Sequence, residues 1–101
     1  MIKFSDLKPE QVREICGKMR ALEKIDDAGY RPNYPYSKDA MTPIIEGMTY
    51  STELYRYHSY LTAMFEASVG EYAYVKMHTA TAQQQFVAAA MALNLVKEVE
   101  K

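Results

Sequence analysis

The chain has 101 residues, 49% of them hydrophobic and 25% charged, with a formal net charge of −1. That length and balance fit one folded domain with its own core and exclude a disordered chain. The near-neutral charge leaves no basic surface for nucleic acid, and the longest apolar run, Phe86–Leu93, is far short of the roughly 20 residues a membrane span needs.

A lone cysteine, Cys16, rules out an internal disulfide. With no signal peptide in the sequence, a cytoplasmic protein is expected. Charge is spread unevenly. Residues 1–29 carry six basic and six acidic groups, whereas Pro43 to Val96 holds only Glu46, Glu53, Arg56, Glu66, Glu71 and Lys76. A surface helix ordinarily has a charged face opposite its apolar stripe, so helices this poor in charge should be covered on more than one side. A partner is implied, most simply a second copy of the chain.

The first predicted helix spans 9–25. Pro9 suits the first helical position, and Glu10 places negative charge in the first turn. Val12, Ile15, Met19 and Leu22 recur at helical spacing within one arc, with Cys16 beside them. Glu14 and Lys18 are four apart in the favourable order. Asp26-Asp27-Ala28-Gly29 should stop the helix.

Residues 26–42 are expected to form a loop. The stretch contains Gly29, Pro32 and Pro35, shows no periodicity, and carries Tyr30, Tyr34 and Tyr36. Those tyrosines have two readings: a strap shielding apolar helix surface, or a loop that binds a ligand or partner.

A second helix is predicted over 43–67, with Thr42 as N-cap and Pro43 at the first position. Gly47, Tyr50, Leu54, Tyr57, Leu61, Met64 and Ser68 form a seam of heptad-like spacing. Ser68-Val69-Gly70-Glu71 has the form of a capping box around a glycine and predicts a tight turn between helices. A third helix is predicted over 71–99. Its polar stripe is narrow (Lys76, Gln83, Asn94, Lys97 and Lys101, with Val87 and Ala90 between) and both its flanks are apolar. The expected fold is all-α: an N-terminal amphipathic helix, a Tyr/Pro-rich loop, and a long antiparallel helical hairpin that pairs into an oligomeric bundle.

The templates for chemistry fail one by one. A carboxylate-bridged metal site in a bundle needs Glu-x-x-His, but His58 follows Tyr55 at that spacing and His78 follows Val75. Cys16 lies on an apolar arc, where a small buried thiol is the usual occupant, and no oxyanion element accompanies it. Glycine-rich phosphate loops and Cys-x-x-Cys are absent. No metal, cofactor or catalytic residue is therefore expected.

The densest aromatic cluster is Tyr55, Arg56, Tyr57, His58 and Tyr60. With Tyr30, Arg31, Tyr34, Tyr36 and Lys38 from the loop it could frame a pocket for a planar anion such as a nucleotide. The competing reading is packing or protein contact. The expectation from sequence is thus a non-enzymatic, oligomeric interaction protein, an adaptor, regulator or inhibitor that self-associates through its second and third helices. The alternative is a small-ligand protein using Tyr30, Arg31, Tyr34, Tyr36, Lys38, Arg56 and His58 at a subunit boundary.

Overall fold

The structure is a computed structural model that describes residues 3–24, 32–64 and 80–96. It is helical, with no strand among the described residues. The described residues form four α-helices: α1 Pro9–Leu22, α2 Lys38–Glu46, α3 Tyr55–Met64 and α4 Ala82–Ala92. Two 3-10 turns, Phe4–Asp6 and Tyr34–Tyr36, and one π turn, Tyr50–Leu54, complete the order.

The first helix begins as the sequence predicts. Pro9 opens α1, and the Gln11 side chain accepts the Lys8 backbone N–H at 2.8 Å. Ile15 and Met19 are buried, while Val12 and Cys16 pack against the core from its edge. Glu14 and Lys18 pair at 3.3 Å. The helix closes at Leu22, earlier than expected, and Lys24 takes a left-handed conformation with φ 56°.

The second helix departs from expectation in both start and continuity. Its N-cap is Ser37, whose Oγ accepts the Ala40 N–H at 3.2 Å, so α2 begins inside the stretch predicted as loop. Pro43 lies within this helix, not at its start. The proline removes one backbone hydrogen bond, but Met41 and Ile44 bury their side chains on either side of it and hold the turn in place. The chain then breaks at Gly47 and restarts at Thr49, whose N–H is accepted by Glu53 Oε1 at 2.8 Å. Thr49 O takes the Leu54 N–H at 3.0 Å, the wide spacing of a π turn. A single helix over 43–67 is therefore replaced by α2, the π turn and α3. Among the described residues the expected seam holds from Leu54 to Leu61: Tyr57 and Leu61 are buried, whereas Gly47 and Tyr50 are exposed.

The third helix is shorter than predicted. Thr81 is extended and caps α4: Thr81 Oγ1 accepts the Gln84 N–H at 3.1 Å, and Gln84 Oε1 accepts the Thr81 N–H at 2.9 Å. At the other end Asn94 is left-handed (φ 58°), Leu95 N–H reaches Ala90 O at 2.8 Å, and Asn94 N–H reaches Met91 O at 3.2 Å. This paired bonding closes a helix with its last carbonyls satisfied. The helix therefore cannot run unbroken over 71–99. The turn expected at Ser68–Glu71 lies outside the described residues.

Helix α4 is the centre of the molecule. Phe86, Val87, Ala88, Ala89, Ala90, Met91 and Ala92 are all buried. The Phe4–Asp6 turn, the Tyr34–Tyr36 turn, α2 and α3 each pack against it, and Ile15 and Met19 of α1 belong to the same core. Ala88, Ala89 and Met91 of the two apolar flanks, and even Val87 and Ala90 of the supposed polar stripe, are buried within this one chain, whereas Ala82, Leu93, Leu95 and Val96 are half-buried and Val75, Met77 and Val99 lie outside the described residues. The run Phe86–Ala92 is thus covered without a second subunit. Phe4 links the layers, edge-on to Phe86 at 5.9 Å and to Tyr36 at 6.0 Å.

Candidate functional site

Of the seven residues singled out from sequence, Tyr30 and Arg31 lie outside the described residues, and the other five fall on the Tyr34–Tyr36 turn, α2 and α3. Tyr34 is a core residue, 1% exposed, and its hydroxyl donates to Glu23 Oε2. That bond ties the Tyr34–Tyr36 turn to the end of α1. Tyr36 is 63% exposed, with one edge of its ring against Phe4. Lys38 is exposed in the first turn of α2.

Arg56 turns away from solvent. Its Nη2 donates to Ala92 O, the last carbonyl of α4, at 2.5 Å. A guanidinium there satisfies an orphan carbonyl and offsets the negative end of the helix dipole. Its role in the fold is to pin α3 to the end of α4. His58 faces outward beside the Tyr57 ring at 5.6 Å, and partial burial holds its pKa below the ordinary histidine value. Burial therefore favours its neutral form.

A surface of unusual chemistry follows from these placements. From Thr49 to Ala63 the exposed residues are Thr49, Tyr50, Ser51, Thr52, Tyr55, His58, Ser59 and Ala63. None carries a formal charge. The two charged residues of the stretch are both drawn partly inward, Glu53 to the Thr49 N–H and Arg56 to Ala92 O. Tyr50 and Tyr55 are 84% and 70% exposed. Ser59 and Thr62 donate their hydroxyls back to the helix, to Tyr55 O and His58 O, which further lowers the demand of this face for water. Depletion of charge with enrichment of tyrosine is the composition of a protein–protein contact.

A second feature lies where three helices end. A cleft of about 300 Å³ is lined by Leu22 and Glu23 from α1, Pro43, Ile44 and Gly47 from α2, Glu53 from the π turn, and Leu93. Glu23, Gly47 and Leu93 are the C-terminal caps of α1, α2 and α4. No periodicity in the sequence signals this convergence, because the three caps come from segments far apart along the chain. Among the described residues, none of the sequence-selected Tyr34, Tyr36, Lys38, Arg56 and His58 lines the cleft.

Among the described residues no group of three or more His, Cys, Asp or Glu is poised to hold a metal ion, and no helix is long and apolar enough to cross a membrane. Cys16 is half-buried on α1, and burial pushes its thiol pKa up, the reverse of an activated nucleophile. Comparison of the chain with protein-family models, with curated proteins and with solved structures found no match.

Proposed function

We propose that this chain is a non-enzymatic protein that works by protein–protein contact, as an adaptor, regulator or inhibitor, and that it self-associates through the outer face of the π turn and α3. The observation that carries this reading is the uncharged, tyrosine-bearing surface from Thr49 to Ala63. An exposed tyrosine brings a large, stiff contact area at small entropic cost, and two on one charge-free face favour association over solvation. Helix α4, the most apolar element, is already enclosed by its own chain and offers no such face.

The alternative, a nucleotide-like ligand held by the tyrosine-rich loop, has less behind it. Tyr34 is committed to the core and Arg56 to a helix end.

Sedimentation velocity over a concentration series tests the proposal. The wild-type chain should self-associate, and Tyr50→Lys with Tyr55→Lys should return it to a monomer with its helical circular dichroism intact. Both positions are so exposed that the fold should change by no more than about 0.5 kcal/mol. A wild-type chain that stays monomeric throughout sinks the self-association.

A further inference from the structure

The cleft at the three helix ends combines two properties that seldom coincide. Leu22, Ile44 and Leu93 give it an apolar lining, with Leu22 55% exposed at one side. Its electrostatics are strongly one-signed. Glu23 and Glu53 are both in the lining, and the C-termini of α1, α2 and α4 each bring roughly half a negative charge. Arg56 offsets the α4 end through Ala92 O, but among the described residues no Lys or Arg is in the lining itself. Bonds to Tyr34 and to the Thr49 N–H orient the two carboxylates without neutralising them. The matching group is a cation at the end of an aliphatic stem, whose methylenes lie on the apolar lining while its head meets the carboxylates and carbonyls. At about 300 Å³ the space is at the lower limit of small-molecule sites and suits one or two side chains rather than a cofactor.

We infer that this cleft receives a lysine or arginine side chain, flanked by an aliphatic residue, presented by a partner protein. The inference rests on the reading of the chain as one that works by contact. It is nonetheless separable from the tyrosine face, because it concerns different residues.

The test is a titration of the 15N-labelled chain, followed by amide shifts, with the peptide acetyl-Leu-Ala-Leu-Arg-amide. Parallel titrations use the same peptide ending in glutamate, and n-hexylammonium. The arginine peptide should move the Glu23, Gly47 and Leu93 amides at millimolar concentration or below. Its affinity should fall about tenfold in Glu53→Gln, which removes a charge while its amide oxygen still accepts the Thr49 N–H. Absence of shifts, equal binding of the glutamate peptide, or an unchanged affinity in Glu53→Gln would each overturn the inference. Binding of n-hexylammonium as tight as that of the peptide would also overturn it, by making the cleft a site for free amines. None of these readouts depends on Tyr50 or Tyr55, so the two proposals fail separately.

Discussion

Replacing Phe86 by alanine probes the enclosure of α4 most directly. The ring is 0% exposed and meets Phe4 edge-on at 5.9 Å, in a core where Val87, Ala88 and Ala89 leave little freedom to collapse. Truncation of a buried phenylalanine costs about 3–5 kcal/mol, made up of lost transfer energy and an incompletely closed cavity. A domain of this size has about 5–15 kcal/mol in total, so the variant should lose roughly a fifth or more of its stability. At roughly 4–8 °C per kcal/mol, the melting midpoint should drop by about 12–40 °C. Phe86→Leu should lose much less, because most of the volume is kept.

The assay is urea unfolding at two protein concentrations about twentyfold apart, in the Tyr50→Lys, Tyr55→Lys background so that association through the tyrosine face does not contribute. If the cover over Phe86 comes from the same chain, stability is the same at both concentrations. If a second subunit supplied it, unfolding would be coupled to dissociation and apparent stability would move by RT ln 20, about 1.8 kcal/mol. A loss on Phe86→Ala under about 1 kcal/mol, or a stability in that background that rises with concentration, refutes the single-chain account of the core.

Two further outcomes follow from the same geometry. Arg56→Met should cost about 1.5–3 kcal/mol, the range for a hydrogen bond to a charged group, and should speed amide exchange at Leu93 and Asn94; Arg56→Lys should recover part of it, and unchanged exchange would remove Arg56 as the cap of α4. Tyr57 is 3% exposed, and burial holds its hydroxyl pKa well above the ordinary tyrosine value of 10. The folded chain therefore keeps its proton when the unfolded chain loses it. This contribution is intact below the unfolded pKa and declines as pH rises, by up to about 1.4 kcal/mol per pH unit above pH 10. Comparison of urea midpoints of wild type and Tyr57→Phe from pH 9 to 11 measures it, and parallel curves would show that Tyr57 ionises normally.

Local signals in the sequence carried well where a cap and a period agreed. Pro9 and the Val12, Ile15, Met19, Leu22 spacing located α1, and its two buried residues, Ile15 and Met19, lie on that arc, whereas Val12 is half-buried and Leu22 exposed. They carried poorly where tertiary burial overrode a punctuating residue. Pro43 has the marks of a helix start, yet Ser37 caps the helix and Met41 and Ile44 anchor it across the proline. The Thr81–Gln84 capping box went unread inside the helix predicted over 71–99, because no Gly or Pro marks that break and an unbroken apolar pattern masks it.

The charge-poor stretch was legible too, and its main cause was not. Seven consecutive residues of α4 avoid charge because other parts of the same chain surround them. The site residues were the least legible. Arg56 reaches a carbonyl 36 residues away, and the cleft is assembled from the ends of three separated helices. Neither relation leaves a periodic trace.

The placement of α4 sets an order of events during synthesis. The ribosome makes the chain from its N-terminus, at about 5–20 residues per second, and the 3-10 turns, α1, α2 and α3 all precede α4 in sequence. Each leaves the exit tunnel before the helix it is built to surround. Until Ala82–Ala92 has emerged, Phe4, Tyr34, Met41, Ile44 and Leu61 lack the helix that completes their shared core. The core of the nascent chain is thus completed only when the last described helix to be made has emerged.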